Sequence, residues 1–196
     1  MSIHFGGRSL ARSQALQLLF QAEANLRSVE EVLAGEYALS EGPLDEYART
    51  LALGADARRH DLDAIISQRS TRWALGRMNA VDRNLLRLAL YEMLDVDEVD
   101  VAVTIDECVE LAKAYGTDES SRFVNGLLGR VADDLDAGAD VVAGARAALA
   151  ARAADRGREE GPEEGREPAY DDEAYERDAF VDDSELIDAS HGGEEL

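Results

Sequence analysis

The sequence predicts an all-α protein: one helical domain followed by an acidic tail. Three observations carry this expectation. Apolar residues recur at spacings of three and four along most of residues 8–135, the period of a helix with one buried face. Helix-start and helix-stop residues punctuate that pattern at short intervals. The only β-branched run, Val99 to Ile105, is short and interrupted by Asp100, so it is read as a linker. A length of 196 residues suffices for one domain with its own core.

From Arg8 to about Leu26, Leu16, Leu19, Phe20 and Ala22 form one apolar stripe, with glutamines on the other side. Ser28 and Glu31 have the spacing of a capping box, in which the hydroxyl accepts a free amide and the carboxylate reaches back. Pro43 suits the first turn of a helix that buries Leu44, Tyr47, Ala48, Leu51 and Ala55. Asp61 to about Arg72 continues with Leu62, Ile65 and Ile66. Asn79 is the expected N-cap of a helix burying Val81, Leu85, Leu88, Ala89 and Met93. Thr104 and Glu107 look like a second capping box, opening a helix that ends near Tyr115-Gly116. Ser120 to Leu135 closes the set with Phe123, Val124, Leu127, Leu128 and Val131.

Charge divides the chain. With 42 acidic and 20 basic side chains the net charge is −22, which taken whole argues against nucleic acid. Residues 136–196 carry −13 of it, and residues 1–135 only −9. The expected organisation is therefore a helical domain over 1–137, an Ala/Arg-rich segment over 138–156 forming one weakly anchored helix, and an acidic tail over 157–196. The composition of that tail cannot bury enough apolar surface to offset chain entropy, so it is expected to be disordered. Two roles suit it: a solubilising extension, or an RNA mimic. The second reading rests on Tyr170, Tyr175 and Phe180, spaced by five among acids and followed by Leu186-Ile187, which would compete for Arg8, Arg12 and Arg122. Basic islands nevertheless stand in the acidic chain. Arg8 and Arg12 precede the first acid, Glu23, and five arginines between Gln68 and Tyr91 face one acid, Asp82.

Several function classes are set aside. The single cysteine, Cys108, excludes an intramolecular disulfide framework and a cysteine zinc site. The start of the chain has no basic and apolar export pattern, and no apolar run approaches a membrane span of about 18 residues. A cytoplasmic, soluble protein is expected. Phosphate-loop, nucleophile-elbow and zinc-protease motifs are missing. His4, His60 and His191 are scattered, and Asp106 and Glu107, adjacent on a helix, point apart. Glu107 and Glu110 share a face, but capping and solvation account for them. No catalytic residue, cofactor or metal is expected, and Cys108 reads as a small buried hydrophobe.

Two clusters remain. Arg8 and Arg12 lie one helical turn apart on one face, able to bracket a phosphate or stack on a base. Arg122 and Phe123 open a helix, where free amides favour anions, and form a basic–aromatic pair suited to single-stranded RNA. Each also has a plain reading, as solvated arginines and as a core phenylalanine beside Val124 and Leu127.

At these residues the chain resembles a known family. Arg83-Asn-Leu-Leu-Arg-Leu-Ala-Leu-Tyr-Glu-Met93, Val103-Thr-Ile-Asp-Glu-Cys-Val-Glu-Leu-Ala-Lys113 and Arg122-Phe-Val-Asn-Gly-Leu-Leu128 resemble the bacterial transcription antitermination factor NusB family in order and spacing. Trp73-Ala-Leu-Gly-Arg-Met-Asn-Ala-Val-Asp82 is similar to the segment leading into the first block, and Ala11 to Phe20 to the family's opening helix. The resemblance covers about residues 8–135. It implies two small bundles and a non-enzymatic factor that pairs with NusE, a small-subunit ribosomal protein. The pair would bind the boxA element of ribosomal RNA leader transcripts, load onto the RNA polymerase antitermination complex and support processive transcription. Arg8 and Arg12 match its arginine patch, and Arg122 and Phe123 its basic–aromatic RNA pair. Asp82, with Arg83 and Arg87, falls on the NusE-facing helix, and Asp118 and Glu119 are carboxylates that would restrain phosphate binding. Because some relatives hide the RNA face by homodimerising, a homodimer is also admitted.

Departures bear on function. Gly6-Gly7 stands where the family often has further basic residues, so phosphate contacts should be fewer and the salt slope smaller, by about 0.7 log units per missing contact. The proline usual ahead of the 104–115 helix is missing around Asp100, and the tail has no counterpart. The thin patch leaves room for a protein–protein adaptor with weak RNA binding. A similar domain also fronts ribosomal RNA cytosine methyltransferases, but only 61 residues follow Leu135 here and none is the cysteine such an enzyme needs.

Overall fold

A computed structural model of the chain describes residues 5–70 and 73–159. The segment expected to be an acidic tail, 157–196, lies outside them except for its first three residues. Among the described residues the secondary structure is helical throughout, as the sequence predicts: α1 (Gly7–Ala24), α2 (Val29–Ala34), α3 (Glu46–Ala57), α4 (Arg59–Arg69), a 3-10 turn (Leu75–Arg77), α5 (Ala80–Asp95), α6 (Val101–Tyr115), α7 (Ser120–Asp136) and α8 (Val141–Glu159). Helix α5 is common to both bundles. It packs against α1 and α3 on one side and against α4, α6 and α7 on the other. Its Leu85, Leu86, Leu88, Ala89 and Leu90 are fully buried for that reason.

Local chemistry sets most boundaries. The Ser28 hydroxyl accepts the Glu31 amide at 3.1 Å while Glu31 accepts the Ser28 amide at 2.8 Å, so the first capping box forms as expected. Asn79 caps α5 through the amide of Val81 at 3.0 Å. Gly116 ends α6, where an added Cβ would meet Ser120 and the Ala112 carbonyl.

Four expectations are corrected. Pro43 does not open α3; Asp45 does, accepting the Tyr47 amide at 2.7 Å. The proline belongs to a connection that α1 holds along its length. Gln14 donates to the carbonyls of Glu41 and Pro43 and accepts the Asp45 amide, all at 2.9 Å. Gln17 bonds Ser40, and Gln21 bonds both main-chain groups of Ala38. The glutamine face of α1 is thus a ladder for the 38–45 connection.

The run 99–105 is not a linker, since α6 starts at Val101 after Asp100. Thr104 and Glu107 form no capping box, because Thr104 lies inside the helix and donates its hydroxyl to Glu92 at 2.7 Å. Tertiary demand overrides the local pattern there. Phe20, expected on the buried stripe, is 42% exposed.

Helix α8 covers α4. Val141 and Ala145 are buried, Arg146 pairs with Asp61 at 2.7 and 2.8 Å, and Gln68 reaches the Gly144 carbonyl. No helix among the described residues is long and apolar enough to cross a membrane.

Candidate nucleic-acid interface

The two arginines of α1 part company. Arg8 is exposed, its guanidinium 5.3 Å from the centroid of the Tyr47 ring. Arg12 is 1% exposed, which corrects the expectation that it shares an open patch with Arg8. Its Nε donates to both carboxylate oxygens of Glu92, at 3.0 and 2.8 Å, and Nη1 stands 3.5 Å from Glu107. Burial alone would lower the Arg12 pKa; the hydrogen bond and charge of Glu92 outweigh it and raise it. Glu92 also accepts the hydroxyls of Tyr47 and Thr104. Burial first, and then that bond to Glu92, pushes the Tyr47 phenol well up, so it remains a donor. A carboxylate enclosed by four helices requires this cation, and Arg12 therefore faces inward.

Arg83 and Arg87, expected beside Asp82 on the partner-facing helix, are engaged in contacts within the protein. Arg83 donates to the carbonyls of Leu75 and Met78 at 3.0 and 2.8 Å and pairs with Glu23. Arg87 holds Asp63 through two bonds of 2.7 and 2.9 Å and reaches Glu23 at 2.5 Å. These contacts tie α5 to α1 and α4. Burial would raise the Glu23 carboxyl, but its bonds to Arg83 and Arg87 bring it below the ordinary range.

Two surface depressions stand out among the described residues. The first is a cleft of about 210 Å³ lined by Trp73, Arg77, Asn79, Asp82, Ser120 and Phe123, with Met78, Thr117 and Glu119 completing it. It brings Asp82 and Phe123 to one site, where the sequence had put them on different surfaces. Phe123 packs against the core as well as lining the cleft, so its two readings are compatible. Arg122 stands beside it, 87% exposed, with Glu119 at 3.8 Å; Asp118 is exposed next to them. Asp82 is 8% exposed, and burial raises its pKa against the opposing hydrogen bond from Ser120. Trp73 and Arg77 were missed in the sequence. A lone tryptophan ahead of an N-cap was the available signal.

The second is an open apolar groove of about 420 Å³ between α1, the 38–45 connection, the start of α5 and the end of α6. Leu16, Phe20, Ala38, Val81 and Tyr115 line it with Gln17 and Gln21. Nothing in the periodicity marks it, because Phe20 falls on the apolar stripe of its helix and Tyr115 is read only as the end of α6.

Among the described residues no three His, Cys, Asp or Glu side chains converge as metal ligands. Cys108 is fully buried, and burial pushes its thiol up, away from the reactive thiolate.

The described residues form an all-helical domain whose aromatic and basic side chains line surface depressions. The sequence profile of the NusB family matches residues 9–133, and the chain belongs to that family of non-enzymatic transcription antitermination factors. It is 49% identical over 129 residues to the transcription antitermination protein NusB of Salinispora tropica, covering 64% of this chain and 95% of that one. Among solved structures, T. maritima NusB aligns with a TM-score of 0.59 at 36% identity, over 67% of this chain and 94% of its own. A chain from a crystal structure of NusB and NusE in complex with dsRNA aligns with a TM-score of 0.53 at 25% identity, over 63% and 94%.

Proposed function

We propose that this antitermination factor binds the boxA element of ribosomal RNA leader transcripts as a heterodimer with NusE and supports processive ribosomal RNA transcription from within the polymerase complex. The carrying observation is the juxtaposition of exposed Arg122 with Phe123 beside an aromatic-lined cleft, at the start of α7. A cation for phosphate and a ring for a base are the pair that single-stranded RNA requires. Arg8 adds a second exposed cation, on α1. The apolar groove around Phe20 supplies a separate face for NusE, next to Asp82 through Val81. The related NusB solved with NusE and dsRNA supports both partners. The direct test is titration of boxA RNA with and without NusE. Tighter binding in the presence of NusE is expected, and no gain would remove the heterodimer reading.

An adaptor with weak RNA binding is the second reading. The burial of Arg12 favours it, because among the described residues Arg8 alone is left as an exposed arginine of α1. Arg122→Ala separates the two: unchanged RNA affinity would support the adaptor.

A further inference from the structure

The cleft beside Phe123 has three features that a phosphate-binding surface alone does not require. Its aromatic surface comes from two elements, Trp73 from the connection ahead of α5 and Phe123 from α7, and Trp73 is 55% exposed. Its wall includes the carboxylate of Asp82, which is 92% buried by its 8% exposure. The buried Oδ1 of Asp82 has no hydrogen-bond partner among the described residues. Asp82 lines the cleft and has no ion pair among the described residues, so an N–H donor that a ligand brings to its carboxylate is favoured. At the edge stands Arg77, exposed and in no ion pair among the described residues, with Arg122 nearby on α7.

The occupant must therefore present a flat face, an N–H donor and an anion together. We propose that this cleft binds one unstacked nucleotide of single-stranded RNA and selects a base bearing an amino group over uracil, with Asp82 accepting from that amino group, Trp73 and Phe123 stacking on the ring and Arg77 meeting the phosphate. Cytosine, adenine and guanine each carry such a group. Uracil offers only an N–H flanked by two carbonyl oxygens, which the carboxylate repels. A lysine or arginine of a protein partner would satisfy the rings and Asp82, but Arg77 opposes it. Glu119, the other acid lining the cleft, disfavours phosphate on its side and favours the Arg77 edge.

This inference rests on the RNA-binding reading and adds a specificity residue to it. Trp73 is the only tryptophan in the chain, so its fluorescence reports the cleft directly. The full chain is titrated with oligocytidylate, oligoadenylate and oligouridylate of equal length, following Trp73 fluorescence and, with labelled RNA, anisotropy. The expected result is quenching, with the amino-bearing strands bound about fivefold or more tighter than oligouridylate. Asp82→Asn keeps the shape and a partner for Ser120, and melting checks its fold. It should still bind RNA while the preference shrinks to within about twofold. Trp73→Ala should weaken binding of all three strands by about tenfold.

Equal affinities in the native protein, or a preference untouched by Asp82→Asn, would overturn the inference and leave RNA binding standing. If Trp73→Ala spares RNA and weakens NusE binding, the cleft takes a protein side chain and the inference is wrong. If no RNA binds with or without NusE, the inference and the reading beneath it both fall.

Discussion

Arg12 and Glu92, 80 residues apart in sequence, form a pair in which each side chain is 1% exposed and one guanidinium nitrogen serves both carboxylate oxygens. The contact joins α1 to α5, and the hydroxyls of Tyr47 and Thr104 extend it to α3 and α6. Removing the cation leaves a carboxylate buried with hydroxyls alone. Arg12→Ala should therefore cost about 3–5 kcal/mol in urea denaturation. Replacing both partners by apolar residues of similar size should cost much less, because no charge is then stranded. An Arg12 variant that loses RNA binding would report lost folding, so it is a poor probe of the interface.

Glu23 acts in the same way between α1 and α5, and it adds a pH signature. Its carboxyl is held below the ordinary range in the folded state by Arg83 and Arg87, which prevail over burial. The unfolded chain therefore takes up a proton at higher pH than the folded one. The stabilisation is fully present above the ordinary carboxylate pKa and is lost as pH falls through the depressed folded value. Glu23→Gln should lower stability by about 2 kcal/mol at pH 7. Its stability should fall less steeply than that of the native protein between pH 5 and lower values, as followed by thermal melts across that range.

Asp82 has the opposite sign. Burial raises its folded pKa, so here the folded state takes up a proton before the unfolded one. Above that raised value the ionised group opposes folding, and the penalty is relieved as pH falls through it. Asp82→Asn should raise the melting temperature at neutral pH, with the gain shrinking on acidification. A stability gain combined with altered base preference would mark a residue retained for binding and not for folding.

These pairs explain what was legible in the sequence. The Ser28–Glu31 box and the Asn79 cap were readable because both partners lie within three residues. Thr104 and Glu107 have the same spacing, yet no box forms, because Glu92 on α5 takes the hydroxyl. The arginines between Gln68 and Tyr91 looked like a basic island because their counter-ions are remote. Arg69 pairs with Asp134, Arg83 with Glu23, and Arg87 with Glu23 and Asp63. Arg77 has no such pair among the described residues, and it is the one that lines the cleft. Helical period located the elements and much of the core. It could not separate an arginine that neutralises a buried acid from one that faces solvent.

Gly54 tests the packing of α3 on α5. A Cβ there would collide with the ring of Tyr91, so the absence of a side chain sets how closely the helices approach. Its φ is not in the left-handed region, so strain from Gly54→Ala would come from overpacking alone. The expected loss is about 1–3 kcal/mol by urea denaturation. Adding Tyr91→Phe should recover little, because the colliding atoms include ring carbons as well as the hydroxyl.

Arg122 is the clean probe of RNA binding that Arg12 is not. It is 87% exposed, and its ion pair with Glu119, at 3.8 Å with Glu119 80% exposed, is a solvent-screened contact that contributes little to stability. Arg122→Ala should leave the unfolding free energy within about 0.5 kcal/mol of the native protein's. If Arg122 contacts one phosphate, boxA affinity falls and the slope of log affinity against log salt becomes shallower by about 0.7. Glu119→Gln should do the reverse at low salt, since it removes a carboxylate that competes with phosphate for Arg122, and the gain should fade as screening rises. Anisotropy titrations across a salt series measure all three. A salt slope unchanged by Arg122→Ala would place the phosphate contacts elsewhere, with Arg8 and Arg77 the next exposed cations to substitute.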